Sequence, residues 1–205
     1  MGTSFQPAHA GQANSDVTYS CSRPGFLARQ VALWTRQWHH VKSRELPDVA
    51  ALSTALAAAL PPSLGASIIH GDFRIDNTIQ DPTLPQPLRA VIDWELSTLG
   101  DPLTDVALMC VYRSTAFNQV LGMPAAWTSD RLSSPDDIAQ QYAQLSGRDL
   151  SNWNFYLALA NFKLAVIAEG ITHRAAVGPG VPGADAAAEV TPELLAEGLR
   201  LLASP

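Results

Sequence analysis

Two short strings constrain this chain more than anything else in it: His70-Gly71-Asp72-Phe73-Arg74-Ile75-Asp76-Asn77, and then Val91-Ile92-Asp93-Trp94-Glu95. The first follows Ser67-Ile68-Ile69, a β-branched apolar run that reads as a short strand entering a loop. Asn77 to Gln80 reads as a second short strand and Leu88 to Trp94 as a third, with a Pro-rich turn from Asp81 to Pro87 between them. Two acids and an amide, Asp72, Asn77 and Asp93, therefore hang on a loop and at a strand end. The strands are too short to bury a core by themselves, so helices must supply it.

The flanking sequence provides those helices. Leu27, Val31, Trp34, Trp38 and Val41 alternate in steps of four and three, which predicts one apolar helical stripe from Pro24 to Val41. Ser22 is its candidate cap, and Pro24 suits its first turn. A second helix is expected from about Asp48 to Leu60, with Leu52, Leu56 and Ala59 on one face and Pro61-Pro62 stopping it. Asp101-Pro102 restarts helix, which runs to about Tyr112. Residues 113–133 show no clear period. Ser134-Pro135-Asp136-Asp137 opens a helix with a stripe of Ile138, Tyr142 and Leu145, ended by Gly147. Ser151 opens a long helix to about Arg174, and Thr191-Pro192-Glu193 starts a terminal one after a Gly/Pro-rich connection. The fold class is α+β, mainly helical. Residues 1–21 read as a flexible segment, and 22–205 as one domain around a catalytic core at 66–112.

Composition narrows the functional classes. A hydrophobic share of 47% with 16% charged residues describes a globular chain of 205 residues. The formal net charge of −6 argues against a nucleic-acid binder, which would carry a basic stripe. Phe155 to Ala168 is the most apolar segment, interrupted by Asn161 and Lys163, and reads as a core helix rather than a membrane span. No signal sequence is visible at Met1 to Ser15, and a cytoplasmic location is expected. Cys21 and Cys110 form no metal-binding pattern, and Cys110 reads as a buried thiol.

The chemistry of the three oxygen-bearing residues is coherent. A carboxylate on Asp93 and an amide oxygen on Asn77 are hard ligands suited to Mg²⁺ that is also held by phosphate. Asp72 is then free to orient an attacking hydroxyl and take its proton. Arg74 stands where it could steady the loop or a moving phosphate. Turn chemistry accounts for Asp72, Asp76 and Asn77 one at a time. The whole string, followed by Ile-Asp-Trp at a strand end, is far harder to obtain by chance.

These residues, with Gly100-Asp101-Pro102-Leu103-Thr104-Asp105 after them, resemble the aminoglycoside phosphotransferase family, relatives of choline and homoserine kinases. The resemblance implies the C-lobe of a protein-kinase-like fold. It implies transfer of a phosphoryl group from ATP with Mg²⁺ to a small-molecule hydroxyl. By the same resemblance Asp72 is the catalytic base, Asn77 and Asp93 bind the metal, and His70 and Asp105 brace the loop. Asp105 also reads simply as a first-turn helix acid. Arg23-Pro24-Gly25-Phe26-Leu27, Trp34-Thr35-Arg36-Gln37-Trp38 and Phe162-Lys163-Leu164 through Glu169-Gly170-Ile171 are similar to the branch associated with acyl-CoA dehydrogenases. That branch implies hydroxyacyl-CoA-like acceptors.

The sequence also departs from a full kinase pattern. Before His70 there is no strand–Gly-rich–strand pattern, and Lys42 is the sole lysine there. The expectation is a C-lobe without its N-lobe. It should bind ATP weakly if at all, and its exposed apolar surface should find a second copy or a partner that supplies the missing lobe. Two other classes stay open: a non-catalytic scaffold linked to acyl-CoA metabolism, and a Mg²⁺-dependent phosphohydrolase. Lys163, Glu169, His173 and Arg174 read as a solvated or salt-bridged helix face, with Lys163 able to meet an anionic substrate instead. Trp34, Trp38 and Trp153 read as core, and His39-His40 as helix surface.

Overall fold

A computed structural model describes residues 25–62, 65–114, 118, 120, 125–178 and 180–204. The expectations for Ser22, Pro24, Cys21 and the segment 1–21 lie outside those residues. Among the described residues, six α-helices of ten or more residues accompany four short strands: α1 (Phe26–Val41), α2 (Pro47–Ala58), α3 (Leu103–Tyr112), α4 (Pro135–Ser146), α5 (Trp153–Val177) and α6 (Ala184–Ala203), with β1 (Ser67–Ile69), β2 (Thr78–Gln80), β3 (Leu88–Val91) and β4 (Thr98–Gly100) between α2 and α3. The class is α+β and mainly helical, as the sequence predicts.

The apolar stripe of α1 buries Leu27, Val31 and Trp38, while α2 buries Leu52 and Leu56 completely. Ala59 instead caps α2 and stays exposed. Helix α5 is the axis of the core. It carries thirteen buried residues and packs against α6, α3 and α1. It starts two residues after the expected Ser151 and ends three after Arg174; at 25 residues it is long and apolar enough to cross a membrane, but 72% of its most apolar window is buried inside the protein. Each fully buried leucine here contributes roughly 1.5–3 kcal/mol of transfer free energy. Cys110 is buried on α3, and burial pushes its thiol pKa up to about 12.

Three local readings are corrected. In α4 the buried residue is Ala139, and Leu145 stands 90% exposed. The small side chain lets α4 lie close on α3, and that turns the predicted stripe partly outward. Helix α6 begins at Ala184, seven residues before the predicted Thr191, so Pro192 falls inside it. Proline removes the N–H that would bond the carbonyl four residues back, here Ala188. The Arg44 Nη2 donates to that carbonyl instead. Arg44 is held by Glu169 of α5, whose carboxylate also accepts from the Ser43 N–H at 3.0 Å and the Ser43 hydroxyl at 2.6 Å. Glu169, at 0% exposure, is thus no solvated surface acid but the buried anchor of the α1–α2 junction.

The strands form two antiparallel pairs. β1 pairs with β4, an element the sequence reading missed, through Ser67↔Gly100, Ile68↔Leu99 and Ile69↔Thr98. β2 pairs with β3, with a bulge between Ile79 and Gln80. β3 ends at Val91, so Asp93 lies beyond the strand in a left-handed turn rather than at its last residue.

Candidate active site

The loop after β1 is held by its backbone. Asp105, in the first turn of α3, accepts from the His70 N–H at 2.6 Å and the Gly71 N–H at 2.9 Å, one to each carboxylate oxygen. Two amides that would otherwise point into protein without partners thereby gain a charged acceptor. Asp101 fixes the start of the same helix. Its Oδ1 accepts from the Leu103 N–H and its Oδ2 from the Tyr156 hydroxyl. Gly71 has φ +86°, and a Cβ there would lie 2.6 Å from the Leu96 carbonyl oxygen, so both conformation and space require glycine.

His70 is buried and bridges the two strings. Its Nδ1 accepts from the Asp72 N–H at 3.3 Å, which leaves Nε2 as the protonated nitrogen, donating to the Ile92 carbonyl at 2.8 Å. The Ile92 N–H in turn donates to the Asn77 carbonyl at 2.9 Å. Asp72, Asn77 and the residue ahead of Asp93 are therefore joined in one network.

Asp72 itself is surrounded by donors. Tyr112 donates its hydroxyl to Oδ1 at 3.0 Å. Burial, and then the Asp72 charge, push the Tyr112 pKa up, so it remains a neutral donor. Asn77 Nδ2 donates to the Asp72 carbonyl at 2.8 Å and to Oδ2 at 3.3 Å. Arg74 Nε lies 3.3 Å from Oδ2, an ion pair without the alignment of a hydrogen bond. Its guanidinium sits 5.6 Å from the Tyr112 ring centre and 5.0 Å from that of Trp127. That placement makes Arg74 a neighbour of Asp72 on the loop side of the site. Lys163, read as surface, instead turns inward. Its Nζ donates to the Gly71 carbonyl at 2.6 Å and lies 5.3 Å from the Trp34 ring centre. Burial lowers its pKa, while Asp72 and Asp105 oppose that shift.

Asp72 opens onto a chamber of about 630 Å³. Its walls come from α1, through Phe26, Leu33 and Trp34, and from α5, through Leu159, Leu164 and Ile167. Trp34 is therefore a half-buried wall of the chamber rather than a core residue like Trp38.

Asp93 is different. It has φ 66° and ψ 52°, is exposed, and makes no hydrogen bond or ion pair among the described residues. The Asn77 amide nitrogen is committed to Asp72, which turns its Oδ1 the other way. This donor set, one carboxylate and one amide oxygen, suits Mg²⁺ shared with phosphates. Among the described residues no group of three or more His, Cys, Asp or Glu is placed to hold a metal unaided.

Tyr112, Trp127 and Lys163 received no firm role from the sequence. For Tyr112 the signal was present, since it lies two helical turns beyond Asp105 on the same face of α3. Trp127 falls in a stretch without period, and nothing in the sequence draws it to Arg74.

Comparison with known proteins agrees with this architecture. The family model for the phosphotransferase enzyme family matches residues 6–149. Acyl-CoA dehydrogenase family member 10 of Mus musculus is 35% identical over 157 residues, 75% of this chain and 15% of that protein. Acyl-CoA dehydrogenase family member 11 of Gallus gallus is 38% identical over 163 residues, 76% of this chain and 21% of that protein. The chain thus spans about a fifth or less of the length of these relatives. A crystal structure provisionally assigned as an aminoglycoside phosphotransferase, from Ralstonia eutropha, is similar with a TM-score of 0.70 and 30% identity, over 88% of this chain and 56% of that one.

Proposed function

This chain belongs to the phosphotransferase enzyme family, and from that premise we propose that it carries the catalytic and acceptor-binding elements of an ATP- and Mg²⁺-dependent transfer of a phosphoryl group to a small-molecule hydroxyl. The observation that carries the reading is the Asp72 carboxylate, aimed into a large chamber and held by Tyr112, Asn77 and Arg74. The acceptor hydroxyl meets Asp72, which aligns its oxygen and takes its proton. Such a base is worth about 10²–10⁴ in rate. Tyr112 and Asn77 keep the carboxylate from rotating away. Asn77 and Asp93 are the residues that would hold Mg²⁺, which when bound neutralises phosphate charge.

The chamber speaks to the acceptor. Its charged wall residues are Asp72, Arg74, Asp105 and Lys163, and both acids are already engaged. A polycationic acceptor would find no free carboxylate there among the described residues. An acceptor with an apolar body and one reacting hydroxyl fits, which favours the hydroxyacyl-CoA-like class over an aminoglycoside. A cytoplasmic location is part of the same proposal.

The test is ADP release with a series of hydroxyacyl-CoA acceptors, together with Mg-ATP calorimetry on wild type, Asp72→Asn and Asp93→Asn. Release that requires both Mg²⁺ and the hydroxyl, lost in Asp72→Asn while nucleotide binding survives, supports the reading. Asp93→Asn should weaken Mg-ATP binding as well. Among the described residues no glycine-rich strand loop or strand lysine faces the site, so these residues alone should bind Mg-ATP weakly. Phosphate release without an acceptor would indicate a hydrolase. No turnover, even with a nucleotide-binding lobe joined in cis, would favour a scaffold.

A further inference from the structure

Lys163 is an ammonium placed among apolar side chains of the chamber wall, next to Leu159, Leu164 and Ile167, and it forms no ion pair within 4.0 Å among the described residues. A methionine would fill the same space without the desolvation that a buried charge suffers. Set against that cost are the nearby charges of Asp72 and Asp105 and one charged hydrogen bond, to the carbonyl of Gly71 at 2.6 Å. Gly71 is already gripped from the other side: its N–H and that of His70 go to Asp105, and the Leu96 carbonyl leaves no room there for a Cβ. The Trp34 ring, 5.3 Å from Nζ, backs the ammonium and limits where it can swing.

We propose that Lys163 is a positioning residue: from the chamber side its ammonium holds the carbonyl of the Gly71–Asp72 peptide, opposite the grip of Asp105 on the loop amides. The two together fix the tilt of that peptide, and the tilt sets where the Asp72 carboxylate points. The inference rests on Asp72 as the group that meets the acceptor hydroxyl, but the clamp itself does not need turnover to be observed.

The experiment compares the full chain with Lys163→Met and Lys163→Arg by amide hydrogen exchange and melting temperature. In Lys163→Met, exchange in the segment 67–76 should rise about tenfold, the scale of one charged hydrogen bond. The melting temperature should hold or rise, because a buried charge has gone. Lys163→Arg should restore most of the protection. In the protein assayed for phosphoryl transfer, Lys163→Met should lower kcat with the acceptor KM unchanged. Unchanged loop exchange in Lys163→Met would overturn the proposal. Protection lost evenly through α5 and α6 with a lower melting temperature would also overturn it, by showing a plain structural tether. A raised KM at constant kcat would do the same, by making Lys163 an acceptor contact. If no transfer is seen in any form of the protein, the exchange measurements still decide the clamp, and only the functional reading falls.

Discussion

The loop bearing Asp72 and the segment bearing Asp93 are tied to each other through His70 and Asn77, yet they are built on opposite plans. Around Asp72 the loop is held by a set of partners: Asp105 takes two amides, Lys163 a carbonyl, Tyr112 and Asn77 the carboxylate, while Arg74 Nε and Trp127 Nε1 are buried there without a hydrogen bond among the described residues. At Asp93 the backbone turns left-handed and the acid makes no hydrogen bond or ion pair among the described residues; Trp94 and Leu96 after it are exposed, as are the paired Ile68 and Leu99 of β1 and β4, at 71% and 60%. On the proposed function the acceptor side is preorganised, and the side that would hold metal and nucleotide carries Asp93 beside an apolar surface. Catalytic positioning belongs to the first kind of construction, where donors are fixed before the substrate arrives. The second kind draws its order from what binds it.

That contrast can be broken by matched substitutions. Asp105→Ala leaves two amides without their charged acceptor and should cost about 3 kcal/mol in urea denaturation, whereas Asp93→Ala should stay within about 0.5 kcal/mol. Equal losses would show that the two acids are held alike. The next effect concerns pH. Burial lowers the Lys163 pKa from 10.5, so between its folded value and 10.5 the unfolded chain binds the extra proton. Stability of the wild type should therefore climb relative to Lys163→Met as pH rises through that window. A difference in midpoint that is flat or falling with pH would contradict the buried ammonium. The smallest effect on stability is expected at the open face. Leu99→Lys should change the denaturation midpoint little, within about 0.5 kcal/mol, while reducing self-association in sedimentation at high concentration. A large loss of stability there would mean that Leu99 is part of the core and the face is not open.

Much of the braced side was legible because its signals are local. The string from His70 to Asn77 and the Asp101-Pro102 helix start are contiguous in sequence, and the stripes of α1 and α2 repeat every three or four residues. The lapses occur where packing decides. β4 spans Thr98–Gly100 and exists through its pairing with β1 across the intervening loop, which no local period reveals. Lys163 and Glu169 look like ordinary helix-surface charges until Gly71 and Arg44 are brought to them by the fold. Leu145 has the right spacing for a buried stripe and still faces solvent, because Ala139 lets α3 approach the other side of α4.

Pro192 has a consequence for how this sequence can vary. The Ala188 carbonyl it leaves without a helical partner is taken by Arg44, which Glu169 in turn holds. Three residues far apart in the chain are thereby made mutually conditional. Arg44→Met in the present background removes a donor from the Ala188 carbonyl and leaves the buried Glu169 carboxylate with Ser43 but without its cation. With Pro192→Ala beside it, a backbone N–H returns to Ala188, and only the carboxylate is left wanting. The double mutant should fall short of the additive loss by about 1 kcal/mol. Residue identity at position 192 thus sets which substitutions position 44 will tolerate, a form of epistasis written into one missing amide hydrogen.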